Sequence, residues 1–232
     1  MALSHPQRPH PPMHALDLAR WPRRESFEHF RRLEDPYFNV CTRLDLTALL
    51  AIRQRLPGTL SLAYHHLLLR AANEIEPFRY RFDGGRPGQH SGVMVHDVVH
   101  GSTTVLRADE SIAFAPLHWR EGFAEFVAAS LPGIRAAQRG ERPFDADADE
   151  QAVVHFTTLP WFDFTSFSHA RNRTGGDAVP KIAFGRIVRS GGRASMALGL
   201  EVHHAMMDGV HVGHLVQRVQ GWLDDPASVL LG

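Results

Sequence analysis

The sequence is short of cysteine, of net charge and of long apolar runs, and each shortage removes a class of function. Cys41 is the one cysteine among 232 residues, which excludes a disulfide framework and a multi-thiolate metal site. Lys plus Arg number 25 and Asp plus Glu number 25, so the formal charge is zero. With no basic surplus and no polybasic tract, neither nucleic acid nor an anionic membrane surface is indicated as a partner. No apolar run approaches the roughly 20 residues that span a bilayer. The N-terminal stretch from Met1 to Leu16 is rich in His and Pro and lacks the apolar segment of a secretory signal. The expectation is a cytoplasmic protein with a short disordered tail over residues 1–17 and a single domain over 18–232.

What is present is an ordinary globular balance, with 44% hydrophobic and 22% charged residues. The length suits one domain with a sizeable core. Histidine is abundant at 16. Most of these, such as His5, His10 and His14, read as surface or tail residues without a role.

Pro22 after Trp21 predicts the first turn of a helix from Arg23 to about Arg32. Tyr37 to Leu44 reads as a strand. Asp45 reads as an N-cap for a helix through Leu56, which Pro57-Gly58 breaks. Thr59 caps a further helix to about Ile75. Short strands follow at Arg79–Asp83, Val93–Val99 and Thr103–Ala108, with Gly84-Gly85 as the turn after the first. Gly122 to about Ala137 is helical, with a kink or break expected at Pro132-Gly133. Gly140 to Glu150 is a polar loop with three aspartates. Val153–Thr158 and Ile182–Val188 read as strands, and the Gly-rich turn Arg189–Arg193 predicts a hairpin with the next strand. The pattern gives an α/β class of fold, an α+β two-layer sandwich in which helices pack on a mixed β-sheet.

The densest chemistry lies in His203-His204-Ala205-Met206-Met207-Asp208-Gly209. The alternating Met196, Leu198, Leu200 and Val202 before it predict a half-buried strand. Val212, Leu215, Val216, Val219 and Leu223 after it have the spacing of an amphipathic helix. The motif therefore sits on a strand-to-helix turn, where a side chain is held rigidly yet stays open to a substrate. Three readings apply. A histidine there is a candidate general base with an aspartate anchor. His203, His204, Asp208, His211 and His214 are also metal-ligand types. A helix beginning only near Val210 breaks the i, i+4 logic between His204 and Asp208, however, and leaves no place for a third ligand. Finally, the pair could be backbone-satisfied histidines with Asp208 as a helix N-cap.

His-His-Ala-x-x-Asp-Gly at a strand end, followed by His-Val and an amphipathic helix, resembles the signature of the chloramphenicol acetyltransferase family. Trp21-Pro22-Arg23-Arg24-Glu25-x-Phe27 resembles the family's N-terminal Trp-x-Arg-Arg-Glu-x-Phe segment. Thr157-Thr158-Leu159-Pro160-Trp161-x-x-Phe164 resembles its Ser-x-x-Pro-Trp-x-x-Phe segment. The resemblance runs over roughly residues 18 to 225, in order and at similar spacing.

That resemblance implies the CoA-dependent acyltransferase fold and an O-acetyltransferase that moves an acetyl group from acetyl-CoA to a hydroxyl of chloramphenicol or a similar alcohol, an antibiotic-resistance activity. It makes His204 the base, Asp208 and Arg23 a supporting pair, and Thr157 the donor to the oxyanion. An imidazole accepts a proton at neutral pH, so the first role is sound chemistry. Trp161 and Arg186 fall where the family meets CoA. Phe30, His29, Phe167 and His169 fall on the acceptor pocket. The family has apolar residues where His29 and His169 stand, commonly a tyrosine at Phe30, and often a threonine at Ala183. The resemblance further implies a homotrimer with sites at subunit interfaces, since this chain is one lobe of a design that longer relatives build from two. No metal is implied. Transfer to a dihydrolipoyl thiol and a non-catalytic trimeric binding protein are the alternative readings. Ala205 stands where the dihydrolipoyl enzymes have Arg, and the retained His204, Asp208, Arg23 and Thr157 argue against a dead site.

Overall fold

A computed structural model describes residues 12–84, 90–144, 150–171 and 176–232. Gly85 and the aspartates of the polar loop, Asp145, Asp147 and Asp149, lie outside the described residues, as does most of the expected tail. The end of that tail is a strand, β1 (Met13–Ala15), which pairs antiparallel with β4 (Val93–His96). β3 (Tyr80–Phe82) pairs with the other side of β4, so the small sheet runs β1-β4-β3.

The main sheet has six strands: β2 (Tyr37–Asp45), β5 (His100–Leu106), β6 (Ile112–Leu117), β7 (Val153–Thr158), β8 (Lys181–Ser190) and β9 (Arg193–His203). Their spatial order is β2-β9-β8-β7-β5-β6. The predicted hairpin is present, because β8 and β9 pair antiparallel across Gly191 and Gly192 at φ +55° and +77°. Those angles are why two glycines stand at this turn. β7 lies parallel to both β5 and β8, so the sheet is mixed.

The helices are α1 (Arg24–Phe30), α2 (Thr47–Ile52), α3 (Leu60–Glu74), α4 (Phe123–Gln138), α5 (Gly209–Asp224) and α6 (Ala227–Leu230). Thr59 caps α3 as expected, its hydroxyl accepting from Leu62 N–H at 3.2 Å. α2 stops short of the predicted end and passes into a 3₁₀ turn at Arg53–Arg55. Leu67 and Leu68 of α3, Val212 and Leu215 of α5, and Leu198, Leu200 and Val202 of β9 share one buried core.

Three expectations need correction. β6 was not foreseen, and its Pro116 is the reason the pattern hides it; an edge strand tolerates a residue that cannot donate to the ladder. Pro132 does not end α4, which runs through it. Phe123, Phe126, Val127 and Ala137 bury the helix on both sides of the proline, and Gly133 seats against Pro116, where a Cβ would stand 2.9 Å from its ring. Finally, β9 is buried on nearly every residue from Ala194 onward rather than on one face. Phe164 covers Gly185 and Gly199, where a Cβ would approach its ring to 3.3 and 3.4 Å. Arg171 covers Glu201 on the same side.

Candidate active site

The β9–α5 turn is fastened by its own backbone and by what it buries. His204 N–H donates to Pro36 O at 2.8 Å, and Met206 N–H donates to His203 O at 3.0 Å. Ala205 and Met206 join Phe27 of α1, Tyr80 and Val95 in a second apolar cluster. The small sheet and α1 thus act as a buttress under the turn.

Arg23, just before α1, ties the two together. Its Nε and Nη2 donate to Asp208 Oδ2 and Oδ1, each at 2.6 Å, a bidentate pair. The same guanidinium donates to His204 O at 2.9 Å and Ala205 O at 3.1 Å. These bonds hold the Asp208 carboxyl below its ordinary range. Asp208 precedes the first turn of α5, where its backbone N–H donates to His211 Nδ1 at 2.9 Å. Asp208 and His211 are therefore engaged with other groups, and among the described residues no three His, Cys, Asp or Glu side chains come together as a metal site.

The two histidines of the pair have different surroundings. His203 is buried, with Nδ1 accepting from Ala205 N–H at 3.1 Å and its ring edge-on to Tyr37 and Phe82. Burial pushes it down to about 3, so it stays neutral. His204 is part-exposed, and its ring lies flat on Phe30 with centroids 3.8 Å apart and planes 4° apart. Phe38 packs beside it at 4.7 Å. His204 Nδ1 stands 3.2 Å from Asp208 Oδ1, a contact without hydrogen-bond geometry, and that nitrogen is sealed from solvent. The His204 side chain as a whole stays 32% exposed.

A second group of residues lies elsewhere. Thr157 near the end of β7, Trp161, Phe167 and His169 line one cavity of about 580 Å³ with Phe114 of β6 and Thr104 of β5. Neither His204 nor Phe30 lines it, and His29 is exposed on α1 with its ring edge-on to Phe30. Arg186 is exposed also; its N–H donates to Phe162 O at 2.7 Å, which sets it beside the Trp161 turn. Register gives the spacing between the two groups. Thr157 pairs with Ala183, Ala183 pairs with Gly199, and His203 lies four residues beyond Gly199. At about 3.3 Å per residue and 4.8 Å per strand, Thr157 and the His203–His204 turn are roughly 16 Å apart in one subunit.

Sequence reasoning missed Arg81, a fully buried guanidinium that donates to Val153 O at 2.5 Å and Gln151 O at 2.7 Å and so fixes the start of β7. It also missed His155, Arg171, Asp177, Lys181 and Glu201. No local pattern marks these residues: strand register sets His155, Lys181 and Glu201 side by side, and ion pairs bring Arg171 to Glu201 and Asp177 to Lys181.

The fold is that of the CoA-dependent acyltransferases. The structure matches a solved chloramphenicol acetyltransferase with a TM-score of 0.78 at 21% identity, covering 91% of this chain and 99% of that one. It matches an Azotobacter vinelandii dihydrolipoamide acetyltransferase at 0.62 and 19% identity, over 89% of this chain and 88% of that one. The family model described as Chloramphenicol acetyltransferase matches residues 12–220. A Streptomyces acrimycini protein named chloramphenicol acetyltransferase is 30% identical over 215 residues, 91% of this chain and 94% of its own. An Escherichia coli protein of the same name is 26% identical over 212 residues, 90% of this chain and 93% of its own. The chain belongs to the chloramphenicol acetyltransferase family and is an acyltransferase. Among the described residues no helix is long and apolar enough to cross a membrane.

Proposed function

We propose that this protein transfers an acetyl group from acetyl-CoA to a hydroxyl of chloramphenicol or a similar small alcohol. His204 Nε2 takes the proton from the acceptor hydroxyl as its oxygen attacks the thioester carbonyl carbon. The new C–O bond leaves a tetrahedral oxyanion, to which the Thr157 hydroxyl donates. Collapse breaks the C–S bond, and the CoA sulfur takes the proton back from His204. The protein supplies position and electrostatics, and no covalent enzyme intermediate is needed.

The observation that carries this reading is the setting of His204. Its ring is clamped on Phe30, its Nδ1 is closed off against Asp208, and Asp208 is locked by Arg23. This is how a base is held in one orientation, with one nitrogen for its substrate. Trp161, just past β7, and Arg186 on β8, whose N–H donates to Phe162 O, are suited to the CoA side.

The roughly 16 Å between Thr157 and the His204 turn supports a shared site, since both must reach one carbonyl within hydrogen-bond distance. His204 of one copy faces Thr157 of the next, and a closed trimer gives three equal sites. The test is a CoA-thiol release assay with acetyl-CoA across a panel of alcohols, chloramphenicol first. Release that depends on the alcohol and vanishes in His204→Ala is expected; equal release in both proteins contradicts the assignment.

A further inference from the structure

Leu198, Leu200 and Val202 of β9 face the helices, so the residues between them face the other side of the sheet. On that outer face register sets a polar row side by side, Ser102, His155, Lys181, Glu201 and Asn39. Two residues along each strand the next row is small. Thr157 pairs with Ala183, Ala183 with Gly199, and Gly199 with Cys41. Further along, β8 carries a bulge, where Gly185 and Arg186 together oppose the single residue Ala197.

A strap crosses these rows. The chain from Leu159 to Arg171 forms neither helix nor strand, yet both of its ends are fastened. The bulge holds the first end. Leu159 N–H donates to Phe184 O and Arg186 N–H donates to Phe162 O, each at 2.7 Å, on either side of Gly185. Arg43 Nη1 donates to Asp163 Oδ1 at 2.7 Å. The polar row holds the second end. Asn39 Nδ2 donates to Phe167 O, His169 N–H donates to Glu201 Oε2 at 3.2 Å, and Arg171 Nε stands 2.5 Å from Glu201 Oε1. Between the ends the strap is seated by Phe164. A Cβ on Gly185 would stand 3.3 Å from one edge of its ring and 3.0 Å from Phe162 O, and a Cβ on Gly199 would stand 3.4 Å from the other edge. Glycine weakens a strand interior and marks a close approach, and here the ring takes the place of two missing side chains.

The strap carries residues of both substrate sides. Trp161 stands 58% exposed near its first end, while Phe167 and His169 toward its second line the cavity with Thr157. Phe164 does not line that cavity, and its ring centroid is 5.7 Å from that of Phe167.

We propose that Phe164 is a positioning residue for acyl transfer: seated on Gly185 and Gly199, its ring holds the strap so that Trp161 on the CoA side and Phe167 on the acceptor side stay at a fixed separation. The inference rests on the acyl-transfer reading and on the place of Trp161 in it. Arg43 is 44% exposed, and an exposed ion pair to Asp163 cannot substitute for the seated ring.

Two variants unseat the strap from opposite sides. Phe164→Ala removes the ring, and Gly199→Val fills its seat with a residue that strands favour. Binding of CoA and of chloramphenicol is read by calorimetry, without turnover, and strap order by amide hydrogen exchange. Each variant should weaken both ligands by about tenfold, with kcat at saturation held within about threefold, because preorganised binding is lost and the base is untouched. Exchange should quicken along 159–171 and stay unchanged in β9. Phe164→Leu, which refills the seat, should recover most of the affinity. CoA affinity unchanged in both variants overturns the inference, whatever happens to chloramphenicol; a loss confined to chloramphenicol would make Phe164 only a neighbour of the acceptor pocket. A parent that binds no CoA contradicts the acyl-transfer reading itself, and this inference with it.

Discussion

Phe30 and His204 lie face to face, 3.8 Å between ring centroids, so the aromatic residue expected in the acceptor pocket also stacks on the proposed base. Helical phase explains the placement. Phe27 and Phe30 are three apart and face the β9–α5 turn, whereas His29, two residues from Phe27, is exposed. Phe30→Ala should therefore free the His204 ring. The expected result is a fall in kcat of about tenfold or more with a smaller change in acceptor KM, since misorienting a base costs the transition state. Steady-state kinetics check it; a change confined to KM would mean Phe30 serves acceptor binding and does not orient the base.

Breaking Arg23–Asp208 should cost both stability and rate. Arg23 is 12% exposed at its side chain but Asp208 is 36% exposed, so the loss falls below the 3–5 kcal/mol typical of a fully buried pair. Asp208→Asn should lose about 1–3 kcal/mol, a fall in Tm of roughly 2–10 °C for a chain this long. Arg23→Ala should be worse, because it also removes the donors to His204 O and Ala205 O. Unchanged melting and turnover in Asp208→Asn would mean the pair has no role.

Acid should destabilise the fold before carboxylates titrate. Burial holds His65 and His66 down at about 4 and His203 at about 3, each from an ordinary 6.5. The unfolded chain therefore binds more protons than the folded one as pH falls below 6.5, and stability drops down to about pH 4. Each buried histidine contributes up to about 1.4 kcal/mol per pH unit in that window. Denaturant melts from pH 7 to 4.5 check the slope; a flat profile contradicts neutral buried histidines. The Asp208 contribution has its own window, lower down. Held below its ordinary range by Arg23, it stabilises above the unfolded carboxyl value and is lost as pH falls through the folded one.

The local grammar of the sequence carried most of the fold. Thr59 caps α3, the Gly191-Gly192 hairpin joins β8 to β9, and the alternation of Met196 to Val202 faces the helices. The His204 turn with its Arg23 clamp was legible through the family resemblance, because motif order survives where register does not. β6 and the unbroken α4 were hidden because proline is read as a breaker, and its real cost depends on edge position and packing. The polar row from Ser102 to Asn39 was hidden for a different reason. Each member stands on a separate strand, and only the pairing of β5, β7, β8, β9 and β2 sets them side by side. The half-buried reading of β9 failed likewise, since the chain near Phe164 and Arg171 that covers its second face follows a different strand.

The central claim is that His204 of one copy and Thr157 of another act on the same carbonyl. Subunit complementation tests it most directly. His204→Ala and Thr157→Ala are each expected to lose about a hundredfold or more in kcat when assembled alone. Mixed one to one, unfolded together and refolded, a closed ring places an intact His204 opposite an intact Thr157 at about one interface in four. The account predicts recovery to about a quarter of the parental rate. Activity that never rises above the sum of the two inactive variants, in mixed assemblies shown to have formed, would place both residues' chemistry within one chain and contradict it.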